Sequence, residues 1–131
     1  MRPSRWGRNK YGAKKVTVGT ETFDSHHEYE RWCQLKLLVR AGKIHDLHRQ
    51  VKFELIPTQY EAVERYGKTG KRLKDGQKCL ELSCDYIADF VYWEGDKMIV
   101  EDAKSDATKT DAYVIKRKLM LERHGIRIRE V

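Results

Sequence analysis

The sequence has little cysteine and no pairing pattern for what it has. Cys33, Cys79 and Cys84 are odd in number and contain no CxxC spacing, so no disulfide framework is expected and a reducing cytoplasm is the natural setting. The three read as ordinary thiols rather than as zinc ligands completed by a distant histidine. No apolar run approaches the ~18–20 residues that a membrane span requires, and the basic residues at the start lead into no hydrophobic stretch of the kind a signal peptide carries. The expectation is a protein that touches no membrane and stays in the cytoplasm where it is made. Internal repeats are also missing.

What remains is 131 residues, enough for a single core. Hydrophobic residues make up 40% and charged residues 36%, so the interior is thinly supplied and the surface heavily charged. Lys plus Arg number 27 against 20 Asp plus Glu, a formal charge of +7, which favours a polyanion over an acidic small molecule as partner. Residues 1–15 hold six basic side chains, among them Lys10, Lys14 and Lys15, interleaved with Trp6 and Tyr11 and with no acidic residue. Such a stretch cannot bury itself and is expected to be a flexible basic arm on a single domain spanning 16–131.

Val16, Val18, Thr20, Thr22 and Phe23 are β-prone. Ser25 and Glu28 have capping-box spacing, and the apolar set from Tyr29 to Ala41 predicts a helix over 25–41 stopped by Gly42. Alternation over Val51–Leu55 predicts a strand ended by Pro57. The polar, glycine-broken segment 59–78 reads as a long loop or mobile hairpin. Strands follow over 80–93 and 98–104 about a Glu94-Gly95-Asp96-Lys97 turn. Then comes a basic amphipathic helix on Tyr113, Ile115, Leu119, Met120 and Leu121 that Gly125 ends, and a last strand over 126–131.

The chemistry lies in the hairpin. With Gly95 and Asp96 central in the turn, Trp93 pairs with Met98, Val91 with Val100, and Asp89 falls opposite Asp102. Parity puts Asp89 on one face with Ile87 and Val91, and Asp102 on one face with Met98, Val100 and Lys104. Two opposed carboxylates on a half-buried face repel unless a cation or a shared proton lies between them. Hard oxygen ligands of this kind suit Mg²⁺ or Mn²⁺. Lys104 points the same way and can hold an attacking water and offset charge on a phosphorane. The rival reading is a solvated Asp102–Lys104 pair at a strand end. Glu101 has the opposite parity and reads as a surface or hydrogen-bonded residue, Asp85 and Asp106 as solvated turn charges, and His26 and His27 as exposed first-turn residues within reach of a phosphate near Glu28. Lys109, Lys116, Arg117 and Lys118 form a basic surface that either tracks a nucleic-acid backbone or keeps that face in water.

Tyr86-Ile87-Ala88-Asp89-Phe90 followed by Ile99-Val100-Glu101-Asp102-Ala103-Lys104 resembles the D…(D/E)xK signature of the PD-(D/E)XK nuclease superfamily. Over residues 10–131 the chain is similar to a small family of phage and prophage proteins placed there, through Phe23-Asp24-Ser25 leading to Glu28, through Val51–Leu55 and through Ile126–Val131. Ala88 stands where the superfamily name has proline. The resemblance implies an α/β fold with a restriction-endonuclease-like αβββαβ core, its mixed central sheet flanked by helices. It implies catalysis by Glu28, Asp89, Asp102 and Lys104, with Mg²⁺ or Mn²⁺ held by Asp89, Asp102, Glu28 and the Ala103 backbone carbonyl. Glu28 has a competing use as the capping partner of Ser25. Lys10, Lys14, Lys15, Lys109, Lys116 and Lys118 are implied on DNA, with Lys116 singled out by the family pattern. The implied activity is a metal-dependent endonuclease on branched DNA such as a Holliday junction, working in phage recombination or replication in a bacterial host cytoplasm; two symmetric nicks would require a homodimer. A non-catalytic nucleic-acid-binding protein, or a partner in a replication or recombination complex that docks through the helix bearing Trp32 and Leu37, is the alternative.

Overall fold

A computed structural model of the chain describes residues 15–131. The expected arm, with Lys10 and Lys14, falls outside the described residues apart from Lys15, which is exposed.

The β-prone opening forms a small hairpin of β1 (Val16–Val18) and β2 (Glu21–Phe23), turning at Gly19 with φ 63°. Phe23 is fully buried and delivers the chain into α1 (His26–Arg40). The Ser25 side chain accepts the Glu28 N–H at 3.1 Å, satisfying one of the donors that every helix start leaves open. Strand β3 (His45–Ile56) is longer than the alternating segment that announced it, because its first half, HDLHRQ, is too polar to show a period. It pairs antiparallel with β6 (Cys84–Glu94), which pairs antiparallel with β7 (Lys97–Asp102). Between β3 and β6 the polar segment is a separate two-stranded ribbon of β4 (Gln59–Tyr66) and β5 (Arg72–Glu81). The stretch expected as one strand from 80 to 93 is thus divided between β5 and β6.

Gly95 at φ 65° makes the β6–β7 turn, and the register is the one the turn chemistry predicts: Glu94 with Lys97, Trp93 with Met98, Val91 with Val100. A single 3-10 turn (Asp106–Thr108) leads to α2 (Asp111–His124), capped by Thr110 and closed by Gly125 at φ 67°. Strand β8 (Arg129–Glu130) then pairs parallel to β7. The central sheet runs β3-β6-β7-β8, mixed, in an α/β fold whose core order is αβββαβ.

The two helices serve different faces of this sheet. Leu35 and Ile44 on the α1 side meet Phe90, Tyr92 and Ile99, while Tyr113 and Met120 of α2 meet Leu55, Tyr86, Ala88, Val91 and Val100. Each buried Leu, Ile, Val, Phe or Met among them contributes roughly 1.5–3 kcal/mol. The buried face of α2 differs from the expected stripe, since Ile115 and Leu121 are exposed. Tyr113 and Met120 are in, and Arg117, between them on that face, lies against Tyr113 and pairs with Glu130 at 3.0 Å. A cation with a fixed carboxylate partner takes the place an aliphatic would otherwise hold.

One irregularity sets up the site. Tyr86, Ala88, Phe90 and Tyr92 share parity, yet the first two pack with the α2 cluster and the last two with the α1 cluster. The alternation breaks at Asp89, across from Gln50, whose φ of 53° is left-handed. Ile87 accordingly sits half in solvent rather than with Val91 in an apolar face, which corrects the simple parity expectation.

Candidate active site

A cleft of about 390 Å³ opens where the alternation breaks, lined by Asp89 and Asp102, by Gln50, Asp85 and Tyr86, and on the α2 side by Lys104, Thr110, Tyr113 and Lys116. The β6–β7 ladder stops one pair short of the acids, at Phe90–Glu101. Beyond it Asp89 Oδ2 accepts the N–H of Ala103 at 2.9 Å, so a side chain takes over where the backbone pairing ends. Ala103 therefore meets Asp89 through its N–H.

Asp102 is buried, and its two oxygens are treated differently. Oδ2 accepts the hydroxyl of Tyr86 at 2.5 Å. Oδ1, among the described residues, accepts no hydrogen bond and has the Lys104 ammonium 3.4 Å away. Lys104 itself lies over the Tyr113 ring, 4.8 Å from its centroid, which holds the cation at the cleft. The crowding is registered by Asp89, whose carboxyl is pushed up to about 8 from the ordinary 3.8. Burial is the main cause, followed by the charge of Asp102 and the hydrogen-bond contact between the two carboxyls, then the charge of Glu28; the Ala103 N–H works the other way. Tyr86 and Tyr113 hydroxyls are also pushed well above their usual range, by burial first and by Asp102 next, so both stay protonated, Tyr86 as the donor to Asp102.

Glu28 is the third acid of the expected set. It is buried, but its carboxylate is drawn into contacts of its own: Oε2 takes the Asp24 N–H at 2.9 Å, and Oε1 faces Arg49 at 3.4 Å and Gln50 at 3.3 Å. The backbone at the helix start thus takes one of the two oxygens that the resemblance implies for the metal. Among the described residues no three His, Cys, Asp or Glu side chains are gathered closely enough to hold a metal ion. Burial also pushes the Glu28 carboxyl above its usual range, with the Asp24 N–H opposing. Gln50 links it to the cleft that Gln50 lines.

The remaining expected residues disperse. Of the basic set, Lys116 lines the cleft. Lys109 is tied to Glu130 at 3.2 Å and Asp106 at 3.5 Å, and Lys118 lines a separate hollow with Arg117, Arg127 and Ile128. His26 pairs with Glu30 at 3.1 Å and His27 contacts the Val131 carbonyl at 2.7 Å. Asp85 is in the cleft wall but paired with Lys52 at 3.4 Å. Glu101 lies on the opposite face, as parity predicts, and is fully buried rather than at the surface: Arg31 grips both oxygens, at 2.8 and 2.7 Å, and Tyr92 donates its hydroxyl. The three cysteines are free.

Sequence reasoning missed Tyr86, Tyr113, Gln50 and Thr110 as members of the cleft. Tyr86 carried a signal, three residues before Asp89 in a buried strand where a hydroxyl needs a partner; the others are placed by long-range packing.

A family model described as "Protein of unknown function (DUF1064)" matches residues 8–130. No curated protein and no solved structure matches the chain.

Proposed function

The chain belongs to the DUF1064 family, and from the geometry of its cleft we propose that it is a metal-dependent endonuclease acting on DNA. The observation that carries this reading is the half-buried Asp89 against the buried Asp102 with Lys104 beside them: two carboxyls in contact, one forced toward its acid form, the other with an oxygen that accepts no hydrogen bond. A site so arranged is costly without a cation. Hard oxygens of this number fit Mg²⁺ or Mn²⁺, which bind through one or two carboxylates and keep water and phosphate oxygens as further ligands. Asp89 and Asp102 would hold it; Glu28 contributes charge from behind Gln50.

A bound divalent ion supplies Lewis-acid polarisation of a phosphoryl oxygen and a bound water of lowered pKa. The chain supplies the rest. Tyr86 fixes the orientation of Asp102 by donating to Oδ2, and the Ala103 N–H does the same for Asp89. Lys104, held over Tyr113, orients the attacking water and offsets the negative charge that builds on the phosphorane. Lys116 and the Thr110 hydroxyl in the cleft wall are placed to meet phosphate oxygens. The resemblance to PD-(D/E)XK nucleases of phage and prophage origin adds the substrate: branched DNA in recombination or replication, in the host cytoplasm, with a homodimer making paired nicks. No helix among the described residues is long and apolar enough to cross a membrane.

Cleavage of an end-labelled four-way junction and of a linear duplex of the same sequence, each with Mg²⁺ and with EDTA, tests the reading. Metal-dependent cutting of the junction in preference to the duplex is expected. Cutting of neither overturns the nuclease assignment, and equal cutting of both overturns the junction.

A further inference from the structure

The ribbon of β4 and β5 takes no part in the core. Apart from Val63 and Gly76, every strand residue of it is exposed, Tyr60, Leu73 and Leu80 among them, so it buries no face against the core. A two-stranded hairpin in water is marginal on its own, and this one carries its charge unevenly. Between Glu64 and Asp75 there is no acidic residue, while Arg65, Lys68, Lys71, Arg72 and Lys74 all fall there. The tip is shaped: Gly67 donates to the Lys71 carbonyl at 2.8 Å, and Gly70, at φ 81°, donates to that of Gly67 at 3.0 Å. Arg65 lies across Gly76, where an added Cβ would stand 2.7 Å from its Cδ. Tyr66 is exposed beside these cations. Among the described residues Arg72 is paired, with Asp75 at 3.2 Å, whereas Lys68, Lys71 and Lys74 have no ion-pair partner.

The root of the ribbon is tied to the acidic cleft. Thr58 Oγ1 accepts the Ser83 N–H at 3.1 Å, and the Ser83 hydroxyl reaches Asp85 Oδ2, in the cleft wall, at 3.2 Å. From there the eight residues of β4 carry the tip outward by roughly 25 Å at about 3.3 Å each. That is about seven phosphate spacings along one DNA strand at ~3.4 Å.

We infer that this ribbon is a DNA-binding arm whose lysine tip contacts the phosphates of duplex flanking the scissile position. The inference rests on the nuclease reading for its choice of DNA. A two-stranded ribbon has the width the major groove admits, and a tip bearing cations with one aromatic residue suits backbone contact rather than base reading.

Anisotropy of a fluorescein-labelled linear duplex, in EDTA so that nothing is cut, tests it on the full chain. The variants are the triple Lys68→Ser/Lys71→Ser/Lys74→Ser and a charge-matched control, Lys36→Ser/Lys43→Ser/Lys97→Ser. All six side chains are exposed, and unchanged melting curves verify that both variants fold. The ribbon variant is expected to bind at least about tenfold more weakly near 100 mM salt, its log–log salt slope shallower by about 0.9 for each phosphate no longer neutralised. The control keeps the wild-type slope. Matching slopes in the ribbon and control variants overturn the arm, whether or not the wild type cuts DNA. A slope flattened by the ribbon variant alone, from a wild type that cuts nothing in Mg²⁺, upholds the arm and removes the nuclease. A wild type that binds no duplex overturns the arm and leaves the nuclease to the junction assay.

Discussion

Glu101 and Asp102 follow one another on β7, both buried, and their carboxylates leave opposite faces of the sheet into opposite fates. Glu101 is closed on the α1 side by both nitrogens of the Arg31 fork and by Tyr92. Asp102 points to the cleft, tethered through one oxygen by Tyr86 and with the other facing Lys104. One residue of strand parity separates a carboxylate closed off by its partners from one that opens on the cleft. Removing a partner from a buried ion pair leaves an uncompensated charge.

Arg31→Met should therefore cost about 3 kcal/mol or more in urea unfolding, because among the described residues Glu101 keeps Tyr92 and the more distant Arg129, at 3.9 Å. Metal-dependent activity per folded molecule should be unchanged. A stability loss below about 1 kcal/mol would show that Arg31 is dispensable.

Tyr86→Phe removes the hydroxyl that holds Asp102 Oδ2. In EDTA the buried oxygen is left without its donor, and unfolding free energy should drop by about 1–3 kcal/mol. In Mn²⁺ the loss should shrink, since the carboxylate gains a cation. Equal losses in both conditions would separate Tyr86 from the metal.

The metal-free protein should lose stability as pH rises. Asp89 has its carboxyl raised from 3.8 to about 8, by burial first and by Asp102 next, so the folded state holds that proton more tightly than the unfolded chain. This contribution is complete below pH ~4 and is lost as pH climbs through about 8. Melting temperature in EDTA should fall over that window, Asp89→Asn should flatten the fall, and Mn²⁺ should raise the melting temperature more at pH 8 than at pH 5, because the metal competes with the proton. A profile in Asp89→Asn that matches wild type, with the full Mn²⁺ shift retained, would make Asp89 an ordinary structural carboxylate.

The parts of this site written in local chemistry were legible in advance. The Glu94-Gly95-Asp96-Lys97 turn sets the hairpin register by its own backbone needs, and that register brings Asp89 against Asp102. Ser25, Thr110 and Gly125 mark helix ends through caps that act within a few residues. What escaped depends on distant partners or on broken periods. The polar first half of β3 and the ribbon show no alternation, because neither buries a full face. The left-handed Gln50 is invisible in a residue type that normally avoids that conformation. For Glu28 the sequence favours a ligand over a cap, and what it does not show is that Arg49 and the Asp24 N–H meet the two oxygens.

The central claim is that Asp102 and Lys104 carry phosphodiester chemistry, and cleavage of the labelled four-way junction by wild type, Asp102→Asn and Lys104→Ala in Mg²⁺ tests it most directly. Folding and EDTA-phase DNA binding should remain near wild type in both variants, while cleavage falls by at least about 10²-fold, the loss typical of removing one electrostatic group from a reacting centre. Wild-type cutting retained in either well-folded variant would contradict the account.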